Sequence, residues 1–303
     1  MLIQNLTFSV KYDIILIKLL NLLGELILNF YSKLKTEAQN EKSKNLDKLS
    51  ALEIVKIIND EDKTVAYAVE KVLPQIAVAS EMIAIQIKNG GRLFYTGAGT
   101  SGRLGVLDAS ECPPTYGVPF ETIQGLIAGG YNATYKSIED AEDDPDSIVK
   151  QMKERNFSVN DVCFGLSASG TAPCVIATLE YAKSLGAKTV ALSCNESILI
   201  AKIADIAITP IVGPEVVSGS TRMKAGSAQK MVLNMVSTTM MVLLGKVKGN
   251  LMVCMKPSNK KLVDRAARTI VSETGCSYAE ALQELEKANY NIVDAIELII
   301  SNK

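Results

Sequence analysis

The sequence predicts an α/β protein built on a doubly wound parallel sheet, flanked by helical segments at both ends. Three observations lead there. Short β-branched runs alternate with helical stretches between residues 92 and 211, the pattern of strands joined by crossover helices. Two of those runs empty into turns of glycine and hydroxyl residues, Gly97-Ala98-Gly99-Thr100-Ser101-Gly102 and Ser167-Ala168-Ser169-Gly170-Thr171, which places both at the carboxyl ends of strands, where such sheets bind ligands. Beyond Lys256-Pro257-Ser258 the periodicity becomes purely helical. With 303 residues, 48% hydrophobic and 21% charged, the chain can bury a sizeable core. Lys and Arg number 32 against 33 acids, so no overall field draws nucleic acid or an anionic membrane, and any anion must be met locally.

Residues 1–35 form an expected amphipathic helical extension. Ile14 to Tyr31 is apolar, but Lys18, Asn21, Glu25, Asn29 and Ser32 recur every three or four residues and share one face. Charges on that face make a spanning helix poor, and the absence of a small-residue cleavage site argues against a signal peptide. Packing on the body or on a second subunit is the leading reading; membrane-surface docking or a start codon assigned too early are the alternatives. After a polar stretch, Lys35 to Lys48, a helical pattern runs from Ala51 to Lys88, interrupted near Asp60 to Asp62, strained at Pro74 and stopped by Asn89-Gly90-Gly91. Strands are expected near 92–96, 162–167, 188–193 and 206–211, with helices from 102 and over 172–185. Thr221 to Leu244, rich in Met, Val and Leu, reads as a buried helix. Asn259 to Glu273, Ser277 to Ala288 and Ile292 to Ser301 then form a three-helix unit, broken at Gly275 and at Asn289 to Asn291. The expected domains are thus 1–35, 36–258 and 259–303.

The chain has no histidine, so proton transfer falls to carboxylates. Its six cysteines form no CxxC pair, which argues against zinc and against a secreted disulfide framework and suits a cytoplasmic protein. Gly97-x-Gly99-x-x-Gly102 fits three readings: a phosphate monoester held by amides and the Thr100 and Ser101 hydroxyls, a dinucleotide with Glu121 as the acid about twenty residues on, or a tight structural turn. In Ser167 to Thr171, Ser169 or Thr171 either caps a helix or shares the anion. The prolines of Ser110-Glu111-Cys112-Pro113-Pro114 are expected to stop the helix and hold Glu111 in a defined loop. Glu139, Asp140, Glu142, Asp143 and Asp144 read by themselves as a solvated acidic face. In Gly213 to Lys224, Ser220 or Thr221 is either a helix cap or, with Glu215 and Lys224, part of a sugar site or of a second subunit's ligand site.

The run from Gly97 through Arg103-Leu104-Gly105-Val106-Leu107-Asp108-Ala109-Ser110-Glu111-Cys112-Pro113-Pro114-Thr115 resembles the signature of the N-acetylmuramic acid 6-phosphate etherases, a family of sugar isomerase (SIS) domain enzymes. Thr36-Glu37, Asn45-Leu46-Asp47, Gly125 to Gly130, Ser218 to Lys230 and Gly245 to Val253 are similar to the same family, which thereby covers residues 36–303. The resemblance implies a SIS-type, flavodoxin-like sheet, a small ubiquitin-associated-type bundle at the C-terminus, and a cytoplasmic homodimer with sites near its interface. It also implies cleavage of the D-lactyl ether of the sugar phosphate by elimination of lactate and addition of water, without metal or cofactor. The family's two active-site glutamates map onto Glu111, as proton donor, and Glu142, overruling the plain reading of the acidic cluster. Phosphate and substrate contacts fall on Gly99, Thr100, Ser101, Ser167, Ser169, Gly170, Thr171, Glu215, Ser220 and Lys224. Two departures stand out: Ala38-Gln39-Asn40 lacks the family's usual arginine, and Gly170-Thr171-Ala172 lacks its arginine-threonine. An isomerase of the same fold, or a non-catalytic sensor resembling glucokinase regulatory protein, are the alternatives.

Overall fold

A computed structural model of the chain describes residues 32–196 and 198–301. The helix expected over 1–35 falls, up to residue 31, outside the described residues. Two short 3-10 turns, Glu41–Ser43 and Leu46–Lys48, lead to α1 (Ala51–Glu70). Ser50 opens α1 with a reciprocal cap, its Oγ accepting from the Glu53 N–H while the Glu53 carboxylate accepts from the Ser50 N–H. The break in the long helical pattern falls at Lys71–Val72, and not at Asp60 to Asp62. Pro74 lies unstrained in the first turn of α2 (Leu73–Lys88), where its missing N–H costs nothing.

The sheet follows: β1 (Leu93–Gly97), α3 (Gly99–Tyr116), β2 (Ile123–Ile127), α4 (Asp146–Glu154), β3 (Val162–Leu166), α5 (Pro173–Ser184), β4 (Lys188–Leu192), α6 (Leu199–Ile203) and β5 (Ile206–Ile208). Its five strands are all parallel in the order β2-β1-β3-β4-β5. The order reverses between β1 and β3, the crevice where doubly wound sheets bind ligands. Strand residues alternate between two cores. Leu93, Tyr95, Phe164 and Leu192 face a layer that includes α1, α2 and α7 (Lys224–Leu243), whereas Phe94, Cys163 and Ala191 face α4 and α5.

Sequence reasoning did not single out β2. Its register against β1, Tyr95 opposite Gly125, brings α3 so close that a Cβ at Gly125 would lie 2.5 Å from the Val106 Cα. The chain closes with α8 (Lys260–Thr274), α9 (Tyr278–Lys287) and α10 (Ile292–Ser301), which share their own apolar cluster around Ala266, Ile270, Leu285 and Ile296. Among the described residues no helix is long and apolar enough to cross a membrane.

Candidate active site

β1 ends in Gly97, and α3 begins two residues later. That reversal is so tight that a Cβ on Gly97 would lie 2.8 Å from the Gly102 N, and one on Gly102 would lie 2.6 Å from the Gly97 O. Ala98, at the N-cap of α3, supplies no side-chain cap, so the opening N–H groups of the helix remain available to an anion. One crossover away, β3 runs into Ser167 to Thr171. Gly170 has φ +76°, and a side chain there would strike Ile198 Cδ1 at 2.6 Å. The Gly170 N–H donates to Ser167 Oγ at 3.0 Å, and the hydroxyls of Ser167, Ser169 and Thr171 form a chain with spacings of 3.3 and 2.9 Å. Ala172, at the N-cap of α5, supplies no side-chain cap, and among the described residues these hydroxyls bond within their own turn.

The two turns wall a cavity of about 440 Å3, a volume suited to a sugar phosphate. Gly99, Thr100, Ser101, Ser167, Ser169 and Thr171 line it, whereas Gly170 lies in the turn but is not among the lining residues. Among the described residues lining it there is no lysine or arginine. The dinucleotide alternative needs an acid at the carboxyl end of β2, but Glu121 precedes that strand and so belongs to the opposite edge of the sheet.

Glu142 and Asp143 line the same cavity, while Glu139, Asp140 and Asp144 are exposed elsewhere on the loop. The Cys174 N–H, in the first turn of α5, donates to the Glu142 carbonyl at 3.2 Å and so pins the acidic loop beside the hydroxyl turn. Glu142 is exposed as a residue, yet partial burial of its carboxyl, aided by the Asp143 charge, raises its pKa above the ordinary value. Glu37 contributes a third carboxylate to the cavity. In the sequence it stands out only as part of Thr36-Glu37.

Glu111 is placed differently from the expectation. α3 continues through Pro113 and Pro114 to Tyr116 and stops at Gly117 in the left-handed region, so Glu111 is an exposed helical residue and no loop forms there. The prolines fall in the last turn, where few backbone bonds are lost, and burial of Asp108, Ala109, Cys112 and Pro113 holds the helix to the body. Eleven residues separate Glu111 from Thr100 on this helix, a rise of about 16 Å. Glu111 therefore lines a different hollow, of about 320 Å3, together with Leu104, Leu107, Asp108, Lys230, Leu233 and Asn234.

The three candidates before α7 are not brought to the cavity. Glu215 is fully buried and accepts from the Lys224 and Ala225 N–H groups, both at 2.9 Å, so this carboxylate, and neither Ser220 nor Thr221, caps α7. Burial raises the Glu215 pKa against the pull of those two bonds. Lys224 is buried, and its ammonium donates to Glu61 Oε2 at 2.6 Å and to the Val212 carbonyl at 2.9 Å. Burial alone would raise the Glu61 pKa, but Lys224, Lys42 and Asn40 outweigh it and hold it down to about 2. Ser220 is absent from the cavity wall, although Gly219 and Thr221 beside it contribute.

Sequence reasoning also missed Asn195. Its Oδ1 accepts from the Lys35 N–H at 2.6 Å, and its Nδ2 donates to Thr36 Oγ1 at 3.1 Å and to the Ser169 carbonyl at 3.2 Å. It ties residues 35–36 to the hydroxyl turn. The only available signal was its position just after β4, on the ligand-binding edge.

The family described as glucokinase regulatory protein N-terminal SIS domain matches residues 75–183, and the SIS domain family matches residues 141–241. The chain is 55% identical over 268 residues to an N-acetylmuramic acid 6-phosphate etherase of Clostridium beijerinckii, covering 88% of each chain. It is 54% identical over 270 residues to one of Clostridium botulinum, covering 89% of each. Among solved structures, a phosphoheptose isomerase from Neisseria gonorrhoeae shares the fold with a TM-score of 0.50 and 19% identity, over 63% of this chain and 98% of that one.

Proposed function

The chain belongs to the N-acetylmuramic acid 6-phosphate etherase family, and we propose that it cleaves the lactyl ether of that sugar phosphate, with the 6-phosphate seated between the two glycine-and-hydroxyl turns. One observation carries this reading: the cavity at the β1/β3 crevice gathers helix N–H groups and a chain of hydroxyls together with the carboxylates of Glu37, Glu142 and Asp143, and among the described residues lining it none is basic. A phosphate fits the N–H groups and hydroxyls. The carboxylates suit a carbon acid whose proton must be removed.

The chemistry follows from the substrate. Once the ring opens to the C1 aldehyde, the C2 proton is acidic. A carboxylate takes that proton, the C3–O bond breaks, and lactate leaves with a proton from an acid. Water then adds at C3 to give N-acetylglucosamine 6-phosphate and D-lactate, products that belong to amino sugar metabolism and the recycling of cell-wall sugar. Glu142 is suited to this work because its raised pKa narrows the gap between holding and releasing a proton near neutrality.

Glu111 cannot join it from the same chain, since the ~16 Å rise along α3 exceeds the reach from a 6-phosphate to C3 of the same sugar. The proposed active unit is therefore a homodimer in which one protomer provides the phosphate cavity and Glu142 and its partner provides Glu111. A second reading rests on the presence of Glu37 in the cavity wall, which would let Glu37 and Glu142 act within one chain. Glu215 and Lys224 keep a supporting role in both readings, holding the start of α7.

The test is incubation with N-acetylmuramic acid 6-phosphate in heavy-oxygen water, with mass analysis of both products. One heavy oxygen on the sugar is the expected result. Label confined to lactate would mean attack at the lactyl carbon, and a ketose product without lactate would mean an isomerase.

A further inference from the structure

Ser101 lines the cavity, yet its hydroxyl hydrogen is already engaged elsewhere. Its Oγ donates to Gln229 Oε1 at 3.0 Å, and both residues are buried. Gln229 is 1% exposed, and among the described side chains its Nε2 is the buried polar atom with no hydrogen-bond partner. A buried amide that uses its acceptor and leaves both donor hydrogens unmatched is an unfavourable arrangement. It is also a reversible one, because half a turn about the last side-chain torsion exchanges Oε1 and Nε2. A serine hydroxyl carries one hydrogen, so Ser101 can donate to Gln229 or to a phosphate oxygen, but not to both.

Resting on the phosphate placement given above, we propose that Gln229 is a positioning residue which sets the direction of the Ser101 hydroxyl. When phosphate enters, the amide turns, Nε2 donates to Ser101 Oγ, and the Ser101 hydrogen is released to the phosphate. The amide exchanges one bond for another, since Oε1 gives up the Ser101 hydrogen as Nε2 gains Ser101 Oγ, and the net gain is the bond from Ser101 to the phosphate. The backbone is built for this coupling: α7 lies against the first turn of α3, where a Cβ on Gly226 would meet Thr100 Cγ2 at 3.5 Å. Gln229, three residues on, shares that face.

The probe is inorganic phosphate, with its dissociation constant measured by calorimetry on the full chain. Gln229→Met keeps the volume without either hydrogen bond. Gln229→Glu keeps the shape but, once ionised, only accepts, which holds the Ser101 hydrogen inward. We expect Gln229→Glu to weaken phosphate binding by about 10-fold at pH 8, one lost hydrogen bond to a charged group. As the pH falls and the introduced carboxyl becomes a donor, the ratio to wild type at each pH should recover. Gln229→Met should weaken binding by a smaller factor, and that factor should vanish in a Ser101→Ala background. In turnover the effect should fall on KM and leave kcat unchanged. Wild-type affinity in both variants, or a Gln229→Met effect that persists undiminished without the Ser101 hydroxyl, overturns the inference. If the methionine variant fails to fold, the glutamate variant carries the test in the Ser101→Ala background, where its pH-dependent ratio should shrink; a ratio that persists undiminished there reflects charge repulsion alone and overturns the inference. Absence of phosphate binding by the wild type would overturn the phosphate placement itself and this inference with it.

Discussion

Mixing two inactive variants separates a site shared between protomers from a site contained in one chain. Glu111→Gln and Glu142→Gln each remove the ionisable group of a proposed catalytic residue, and both residues are exposed, so both variants should keep the fold. Each alone should lose at least about 100-fold in lactate release, the usual scale for a lost general acid or base. If the site is composite, a heterodimer of the two variants holds one doubly substituted site and one site with both glutamates intact. Random reassortment of equal amounts of two-fold dimers makes about half of them heterodimers, each with one working site of two, so activity should recover to about a quarter of wild type. The assay is D-lactate release after the mixed variants have been dissociated and allowed to reassociate, with each variant treated alone as control. If the mixture stays as inactive as its components while gel filtration shows that subunits have exchanged, the shared site is refuted. Glu37 then becomes the candidate partner, and Glu37→Gln should show the loss expected of Glu111→Gln.

Other outcomes follow from the same geometry. Asp143→Asn removes a like charge beside Glu142, so the pH–rate limb that reports Glu142 should move to lower pH; a limb that stays in place refutes Glu142 as its source. Asp108 is buried, and although Tyr95 and Ser237 donate to it and Lys230 lies nearby, burial raises its pKa from 3.8 to about 6. Its raised folded-state pKa means that the stability given by the neutral carboxyl is fully present below pH 3.8 and is lost as pH rises to 6, to the extent of about 3 kcal/mol. Asp108→Asn, compared with wild type by urea unfolding, should therefore gain stability across that window and hold the gain above it. Lys224→Met should lower stability by about 3 kcal/mol, because it strips the buried Glu61 of its closest cation while Lys42 remains, and should leave KM of the folded enzyme nearly unchanged. Gly170→Ala forces a Cβ to within 2.6 Å of Ile198 Cδ1 at φ +76°, so both phosphate affinity and thermal stability should fall.

The parts of the fold that were legible in the sequence carry their cause locally. Gly97 to Gly102 and Ser167 to Thr171 announce strand-to-helix reversals because only glycine permits the approach distances found there, and the parallel alternation then places both at one edge. What was hidden depends on residues far away in the chain. β2 has Gln124 and Gly125 in its centre, and only the approach of Val106 explains that glycine. Glu215, read as a possible ligand contact, caps a helix that starts nine residues later, and Lys224, read the same way, neutralises Glu61 from 163 residues away. A buried ion pair and a binding-site cation have the same local sequence; only packing separates them.

Glu111 shows how far a local signature can mislead about distance. The run from Gly97 to Pro114 reads as one functional unit, and the prolines suggest that the helix stops and holds Glu111 in a loop. The helix does not stop there. Its last-turn prolines sacrifice little, while Asp108, Ala109, Cys112 and Tyr116 are buried against the sheet and α7, so continuing straight is the lower-energy course. The same 18 residues that aim N–H groups at one cavity therefore carry the carboxylate to another. If Glu111 acts on a sugar whose phosphate sits at the start of α3, a second copy of the chain must supply it, and a two-fold axis does so twice. On that argument the continuity of α3 makes dimerisation a condition of catalysis by Glu111, so dilution that yields monomers should abolish turnover while leaving inorganic phosphate binding intact.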